Sequence, residues 1–298
     1  MNKLMNKKVV LIICIALIYM LGMRKLQGGI AIDEAAPAFS ELHSIELMAV
    51  MENRMAREYD PESSQTATEE TPDYTRLYPD LYTVYNLPEN TEDERKIAYL
   101  TFDDGPSGNT FEILDILEEA DVRATFFIVG STITDEGESC LKRMKNEGHT
   151  IGIHTYSHLC NEIYCSVERF LNDFNTVYQQ IYDITGERVN IYRFPWGSNN
   201  GYSKGIKDSL MEEMERRGFN CYDWNVDAND SIGRPTAYSI RHNIEKDMKN
   251  QDHPIILMHD SVINDLTAQA LPDVIRMIKD KGYEFDTLDN REPYQFNW

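Results

Sequence analysis

Apolar runs of strand length alternate with amphipathic segments over the last two thirds of the chain. The strand-like runs, which begin at Ile97, are IAYLTF, ATFFIVG, HTIGIH, NIYRF, GFNCYDWNV, PIILMH and YEFDTL. In the segments between them, apolar residues recur every three or four positions, which is typical of helices that pack on a core. Strands that alternate with helices indicate a parallel sheet. We therefore predict an α/β domain that forms a distorted (β/α)7–8 barrel, with an open doubly wound sheet as the alternative.

A different pattern stands at the N-terminus, where the uncharged apolar run Val9–Met23 follows three lysines and precedes Arg24 and Lys25. As a helix, its 15 residues span about 22 Å. This is less than the roughly 30 Å hydrocarbon core of a bilayer and suits the apolar region of a signal peptide. The two cations, however, occupy the place where small residues of a cleavage site are expected. We therefore favour an uncleaved membrane anchor over a cleaved signal peptide, and we expect the main domain to lie outside the cytoplasm.

The segment between this run and the α/β domain divides into two parts. Apolar residues at spacings of three and four, from Leu42 to Met55, predict a helix over about residues 40–58. Its apolar face could serve as a self-association seam, pack on the main domain or lie on the surface. Residues 60–95 are rich in Pro, Glu, Asp, Thr and Ser, a composition typical of a flexible linker. The predicted organisation is an anchor (1–32), an acidic stem (33–95) and a main domain (96–298).

The chain is strongly acidic, with 50 Asp and Glu against 29 Lys and Arg among 298 residues and a net charge of −21. This balance argues against a nucleic-acid partner, because phosphate contacts require clustered cations. Residues 33–95 carry 16 acidic and 4 basic side chains, whereas residues 1–32 carry 5 basic ones and no acidic ones. The stem therefore contributes −12 and the main domain −14. An acidic main domain favours neutral over anionic polymers as partners.

Side chains of catalytic type follow five of the predicted strands. They are Asp103 and Asp104, His154 and His158, the turn Arg193-Phe194-Pro195-Trp196-Gly197, Asp227 and Asp230, and finally His259 and Asp260. In a parallel α/β sheet the carboxyl ends of the strands share one edge, where ligands bind. We therefore expect these side chains to converge on a single site.

Two imidazoles and one carboxylate from this set can hold a divalent metal ion and leave positions open for water and substrate. The candidate ligands are His154, His158 and one of the two adjacent aspartates, because neighbouring residues at a strand end point to opposite sides. The other aspartate is then free to act as a base. Zn²⁺ suits these ligands, with Co²⁺ or another divalent ion as alternatives. The same ligand types also occur in non-haem Fe(II) oxygenases.

Five motifs in this order resemble those of the polysaccharide deacetylases, which form carbohydrate esterase family 4 and carry the NodB-homology domain. The motifs are TFDDGPS (101–107), HTYSH (154–158), RFPWG (193–197), DANDS (227–231) and LMHD (257–260). The resemblance extends from about Lys96 to Leu288. It implies metal-dependent removal of N-acetyl groups from the amino sugars of a polymer.

The resemblance also implies roles for individual residues. The implied metal ligands are Asp104, His154 and His158. The implied catalytic groups are the general base Asp103, Arg193 that orients it, the general acid His259, and its partner Asp230, with Asp227 in reserve. The implied substrate-binding residues are Pro195, Trp196, whose backbone N–H stabilises the oxyanion, and Leu257 in the acetyl pocket.

One position departs from the family pattern. The fourth motif usually ends in Asp-Trp, but Ser231 follows Asp230 here. This change removes an aromatic wall from the groove and bears on polymer preference rather than on the metal chemistry. An Asp223-Trp224 pair stands earlier in the same predicted strand, and we assign Trp224 to the core.

These features predict a membrane-anchored N-deacetylase outside the cytoplasm. Its expected substrate is the N-acetylglucosamine of a cell-wall or surface polysaccharide, with peptidoglycan as the leading candidate. Chitin oligomers and exopolysaccharides are alternative substrates, and a catalytically silent glycan-binding protein of the same fold is the alternative function. Outside the cytoplasm disulfides persist, so three pairings or four free thiols are open for Cys140, Cys160, Cys165 and Cys221.

Overall fold

Eight parallel strands form the centre of the main domain in the computed structural model, which describes residues 74–84 and 95–296. Seven strands follow the order β5-β4-β3-β2-β1-β7-β6, and β8 pairs with the first residues of β1. The strands are β1 (Ile97–Asp103), β2 (Thr125–Ile128), β3 (Thr150–Ile153), β4 (Ile191–Tyr192), β5 (Asn220–Cys221), β6 (Val226–Asp227), β7 (Ile255–His259) and β8 (Glu284–Phe285). The predicted α/β fold with a parallel sheet is confirmed.

Helices connect most of the successive strands, as the amphipathic segments predict. They are α1 (Gly108–Ala120), α2 (Asp135–Glu147), α3 (Cys160–Ile163), α4 (Val167–Thr185), α5 (Lys207–Arg216), α6 (Ala237–Asp247) and α7 (Asp265–Asp280), with short 3₁₀ turns at Tyr74–Arg76, Gly130–Thr132 and Leu288–Asn290. The longest, α4, begins after Ser166, whose hydroxyl accepts a hydrogen bond from the N–H of Arg169. It ends at Gly186, whose φ of 73° suits a glycine cap.

The two ends of the sheet approach each other, because a short connection joins them. β5 ends at Cys221 and β6 begins at Val226, although these strands stand at opposite ends of the pairing order. Five Cα steps span at most about 17 Å, so the sheet curls into a barrel with an opening between β5 and β6. The run GFNCYDWNV, which we predicted as one strand, is therefore two. Because Tyr222 and Asp223 between them are buried, the apolar pattern shows no break.

The central strand β1 is buried along its whole length, since β2 and β7 cover its two edges. Its residues divide by alternation between two apolar clusters. Ala98, Leu100 and Phe102 belong to the large cluster that includes the helices, whereas Ile97 and Tyr99 belong to a smaller cluster with residues of β2, β4 and β7. By this alternation, Asp103 at the end of the strand is on the same face as Ile97 and Tyr99.

The structure corrects the prediction of a flexible linker for residues 74–84. Leu81 is fully buried, and the buried guanidinium of Arg217 donates hydrogen bonds to four backbone carbonyls of this segment. The acceptors are the oxygens of Tyr74, Leu77, Tyr78 and Leu81. A single arginine with five donors can thus hold a segment whose composition alone looks like linker.

The predicted anchor and stem helix lie outside the described residues, as does the rest of the predicted linker up to residue 94. Among residues 74–84 and 95–296, no helix is long and apolar enough to cross a bilayer. The four cysteines of the main domain are free thiols, and two of them, Cys140 and Cys221, are buried.

Candidate active site

The side chains singled out in the sequence lie at the carboxyl edge of the sheet, which is the edge where the strands end. Asp103 and His259 are the last residues of the paired strands β1 and β7 and stand opposite each other in register. His154 follows β3, Arg193 follows β4 and Asp230 lies just beyond β6. The expected convergence is therefore observed.

Three potential metal ligands lie together on one side of this edge. The Oδ1 atom of Asp104 lies 3.4 Å from Nε2 of His158 and 3.6 Å from Nε2 of His154, and the three ligand atoms lie within 4.8 Å of one another. This oxygen is buried and has no hydrogen-bond donor among the described residues. Two imidazoles and a carboxylate that face one another in this way fit a divalent cation.

The tautomer of His154 supports the same interpretation. Its Nδ1 lies 2.9 Å from the carbonyl oxygen of Arg193, and because a carbonyl only accepts, Nδ1 must carry the proton. The unprotonated Nε2 then faces Asp104. Burial lowers the pKa of His154 well below its usual value, and the nearby His158 and Arg193 lower it further, so this imidazole is neutral as a metal ligand requires.

A carboxylate on α4 holds the loop that carries the two histidines. Thr155 and His158 both adopt left-handed backbone conformations, with φ of 70° and 53°. Asp173 accepts hydrogen bonds from the N–H groups of Tyr156 at 2.5 Å and Ser157 at 3.1 Å. The Thr155 hydroxyl accepts a further bond from the N–H of His158 at 3.2 Å. Such conformations persist only where the surroundings hold them, and Asp173 supplies part of that support.

The candidate base, Asp103, is buried and has a different partner from Asp104. Nη1 of Arg193 donates to Oδ1 of Asp103 at 2.8 Å, while the other oxygen lies 3.8 Å from Nε2 of His154. Burial raises the pKa of Asp103 to about 6, although the charge of Arg193 opposes this shift. The carboxyl is therefore ionised at neutral pH and faces the ligand group.

Arg193 itself is fully buried and makes four hydrogen bonds. Besides Asp103, it donates to the hydroxyl of Thr101 at 2.8 Å and to the backbone oxygens of Tyr222 at 2.8 Å and Asp223 at 3.2 Å. The ring of Phe127 lies 4.2 Å from its guanidinium carbon. The arginine therefore joins the base to the segment between β5 and β6.

The candidate acid, His259, lies beside Asp230, which resolves the choice between Asp230 and Asp227. Nδ1 of His259 lies 2.8 Å from Oδ1 of Asp230, whose other oxygen accepts from the N–H of His259 and the hydroxyl of Thr267, each at 2.7 Å. The Asp227 carboxylate instead accepts from the N–H of Asn229. Burial lowers the pKa of His259, but the hydrogen bond and charge of Asp230 outweigh it and raise the pKa to about 9.

The third motif forms a turn beside the metal ligands. Trp196 and Gly197 both have positive φ, at 62° and 79°. The indole of Trp196 is 38% exposed, and its ring centroid lies 4.7 Å from that of His158 and 5.3 Å from that of Tyr202. The carbonyl of Pro195 accepts a hydrogen bond from the Tyr164 hydroxyl at 2.9 Å. Trp196 therefore presents an aromatic face to solvent next to the three potential metal ligands.

Leu257 and Trp224 occupy less prominent positions. Leu257 is buried in β7 opposite Thr101 of β1, two residues before His259. Trp224, which we assigned to the core, is only partly buried and packs against the smaller apolar cluster. Its ring also lies 5.6 Å from the guanidinium carbon of Arg193.

Sequence reasoning missed the part played by Asp260. This carboxyl is buried, accepts a hydrogen bond from the Thr110 hydroxyl at 2.6 Å, and has its pKa raised to about 7 mainly by burial. A Cβ atom on Gly105 would lie 2.2 Å from its Oδ2, so glycine is required there for space. Asp260 thus packs against the turn that follows Asp103 and Asp104. Its place directly after His259 was a usable signal, whereas nothing in the sequence pointed to Asp173.

Comparisons with known proteins identify relatives of this chain. The sequence model of the polysaccharide deacetylase family matches residues 90–215. A peptidoglycan-N-acetylglucosamine deacetylase from Bacillus cereus is 32% identical over 211 residues, which cover 69% of this chain and 74% of that protein. A peptidoglycan-N-acetylmuramic acid deacetylase from Bacillus subtilis is 32% identical over 208 residues, which cover 66% of this chain and 72% of that protein.

A solved structure extends the similarity to three dimensions. The catalytic domain of a peptidoglycan N-acetylglucosamine deacetylase from Eubacterium rectale superposes with a TM-score of 0.66 at 31% identity. The match covers 72% of this chain and 96% of that domain. The motif order, the curled parallel sheet and these relatives together show that the chain belongs to the polysaccharide deacetylases of carbohydrate esterase family 4, which are hydrolases that act on amides.

Proposed function

We propose that this protein removes acetyl groups from N-acetylglucosamine units of peptidoglycan with the help of a divalent metal ion, Zn²⁺ or Co²⁺. The proposal rests on how the base, the ligand atoms and the acid are arranged at the carboxyl edge of the sheet. A carboxylate suited to act as base and three ligand atoms lie on one side, and a histidine held protonated by Asp230 lies on β7. In amide hydrolysis a base activates the attacking water. An acid is needed as well, because the leaving amine departs only when it receives a proton.

Each group then has a defined task in the proposed reaction. Asp104, His154 and His158 would hold the metal ion, which would supply Lewis acidity for the amide carbonyl. Asp103 accepts a proton from the attacking water, and Arg193 holds its carboxylate in place. The backbone N–H of Trp196 donates to the developing oxyanion. His259 delivers a proton from its Nε2 to the departing amine, because its Nδ1 is engaged by Asp230.

The choice of peptidoglycan rests on the relatives and on the surface of the site. Proteins similar to this chain are named for deacetylation of peptidoglycan, at N-acetylglucosamine or at N-acetylmuramic acid. The exposed indole of Trp196 can pack on a sugar ring. The main domain carries −14, so it favours a neutral acetamido sugar over N-acetylmuramic acid, which bears a carboxyl when its peptide is absent.

The decisive experiment measures acetate released from fully acetylated peptidoglycan and identifies the deacetylated sugar by mass spectrometry. We expect release by the metal-loaded protein, loss of release with a chelator and recovery on adding Zn²⁺ or Co²⁺. Asp103→Asn keeps the shape of the base and removes its charge, so release should fall by about 10²- to 10⁴-fold. Equal release by this variant would refute the assignment of the base.

Alternative substrates and the alternative function are separated in the same assay. Chitin oligomers and acetylated exopolysaccharide are tested in parallel, and faster release from either would replace peptidoglycan as the substrate. Glycan binding without acetate release under any divalent ion would instead favour a silent glycan-binding protein.

We also propose that residues 1–32 anchor the protein in the cell membrane, with the main domain outside the cytoplasm. The excess of cations before Val9–Met23, three lysines against Arg24 and Lys25 after it, supports this topology. Membrane fractionation of the full chain, compared with a chain that lacks residues 1–32, tests the anchor. Cross-linking of the full chain, with and without residues 40–58, tests self-association through the stem helix.

A further inference from the structure

The last described residues of the chain lie along the opening of the sheet. Among the described strands, β5 pairs only with β4 and β6 only with β7. Tyr294 forms a parallel bridge with Tyr222, which directly follows β5, and the N–H of Asp223 donates to the carbonyl of Tyr294 at 2.7 Å. The hydroxyl of Tyr222 donates to the carbonyl of Arg291 at 2.6 Å. The chain near its C-terminus therefore pairs with the residues that directly follow β5.

A buried carboxylate joins this tail to the turn of the third motif. Asp223 is fully buried and accepts three hydrogen bonds. Two come from Ser198, from its N–H at 2.8 Å and its hydroxyl at 2.5 Å, and the third comes from the N–H of Phe296 at 2.8 Å. Because Ser198 immediately follows the turn, Asp223 fixes the end of the turn and the end of the tail together.

The ring of Phe296 packs directly behind the turn. It meets the ring of Trp224 at a centroid distance of 5.0 Å and an angle of 82°. A Cβ atom on Gly197 would lie 2.8 Å from Cε2 of Phe296 and 3.1 Å from Trp224. Only glycine fits at this position, both for space and for its φ of 79°. The tail therefore forms the wall on which the turn rests.

The turn needs such a wall because two successive residues, Trp196 and Gly197, have left-handed backbone conformations. A bulky residue such as tryptophan rarely adopts this conformation, and it persists only where the surrounding structure holds it. No acceptor among the described residues takes the N–H of Trp196. The turn thus leaves the Trp196 N–H without an acceptor among the described residues, while Asp223 and Phe296 hold the residues that follow it.

We infer that the tail Tyr294–Phe296, acting through Asp223, is a positioning element that sets the Trp196 N–H for the oxyanion. The inference rests on the proposed function for the role of that N–H. The residues that pair with the tail, Tyr222 and Asp223, are also linked to the base, because their backbone oxygens accept hydrogen bonds from Arg193. A residue more than 30 positions from any of the five motifs therefore sets the geometry of the reaction.

The test replaces Phe296, which touches neither a proposed ligand nor a proposed acid or base. Removing an oxyanion donor altogether costs about 10²- to 10³-fold in kcat, so a displaced donor in Phe296→Ala should lower kcat by about 10-fold. We expect KM and the affinity for Co²⁺ to stay within about twofold, since the metal ligands lie on other loops. Phe296→Leu should restore most of the rate because it refills the space.

Hydrogen exchange gives a readout that does not depend on activity. In Phe296→Ala, amides of peptides that contain residues 194–198 should exchange faster, while peptides that contain residues 150–158 should not change. Asp223→Asn should give the same pattern, because it replaces one acceptor with a donor. Phe285→Ala is the matched control: Phe285 is also partly buried but lies on β8, at the start of β1.

Three results would overturn the inference: unchanged exchange at residues 194–198, a loss of Co²⁺ affinity equal to the loss of kcat, or the same kcat loss in Phe285→Ala. If the unmodified protein releases no acetate, the proposed function fails. The exchange comparison then still decides whether the tail holds the turn.

Discussion

The metal side and the acid side of the carboxyl edge are built in opposite ways. On the metal side, Asp104, His154 and His158 direct ligand atoms at one another, and one oxygen of Asp104 has no donor among the described residues. On the acid side, both oxygens of Asp230 are hydrogen-bonded, to His259 and to Thr267. A cation would satisfy the first side, whereas the polar groups of the second already have partners within the protein.

The two sides also differ in their backbone conformations. Asp104, Thr155 and His158 have φ of 75°, 70° and 53°, whereas His259 is the last residue of a regular strand. The metal side is therefore held by supports from elsewhere, such as Asp173 on α4, and the acid side by one carboxylate. Mutations on the two sides should therefore give two distinct phenotypes: lost metal affinity, and a changed pH profile.

The largest effect should follow from removing a metal ligand. His158→Ala leaves two ligand atoms, so we expect Co²⁺ affinity and kcat/KM to fall by more than about 100-fold, the upper range for loss of an outer-shell partner. The folded apo protein should lose little thermal stability, because the removed imidazole is partly exposed and its contact with Oδ1 of Asp104 is 3.4 Å long. Cobalt titration and thermal unfolding measure the two quantities. His242→Ala on α6 is the control. Cobalt binding by His158→Ala equal to that of the unmodified protein would contradict the assignment of His158 as a metal ligand.

The second effect concerns the acid side and should leave the metal in place. Asp230→Asn removes the charge that raises the pKa of His259 to about 9. His259 should therefore lose its proton at a lower pH, and the alkaline limb of the kcat–pH profile should shift to lower pH. The carboxylates of Asp103 and Asp104 still raise this pKa, and a bound cation opposes them. At neutral pH we expect kcat to fall by about 100-fold.

Asp227→Asn is the matched control for Asp230→Asn. Asp227 also lies near His259, but its carboxylate accepts from the N–H of Asn229. Asp227→Asn should therefore move the alkaline limb less than Asp230→Asn does. A larger shift in Asp227→Asn would reverse the assignment of the partner of His259.

A smaller effect should come from the support of the histidine loop. Asp173→Ala leaves the N–H groups of Tyr156 and Ser157 without their acceptor, so we expect metal affinity to fall by about 10- to 100-fold. The alkaline limb of kcat with saturating metal should stay in place. Asp183→Ala, an exposed position on the same helix, is the control. A shifted pH profile without a change in metal affinity would contradict the separation of the two sides.

The smallest effect should follow from removing the exposed aromatic face. Trp196→Ala keeps the backbone N–H, so kcat should change less than KM. An aromatic contact contributes about 0.5–1.5 kcal/mol, which corresponds to a rise in KM of roughly twofold to tenfold. Steady-state kinetics on soluble acetylated oligomers measure it. Tyr238→Ala, an exposed aromatic on α6, should leave KM unchanged.

The sequence predicted the site better than it predicted the connections around it. The five motifs could be placed at strand ends because each follows an apolar run, and parallel strands bring such ends together. The break between β5 and β6 was missed, because the buried residues that join them look like one strand. The packing of residues 74–84 was missed for a similar reason: Arg217, which holds them, lies more than 130 positions away in the chain.

The amino-acid sequence was sufficient to predict the alternation of strands and helices, the residue types at the carboxyl edge and the family. These features depend on local periodicity and on short motifs, which are formed by residues close together in the chain. The three-dimensional arrangement was needed to show that Asp230 rather than Asp227 contacts His259, that Asp173 holds the histidine loop and that the tail near Phe296 packs behind the Trp196 turn. Each of these depends on which distant segments share a hydrogen bond or a packed surface, and the pattern of one segment carries no record of its partner.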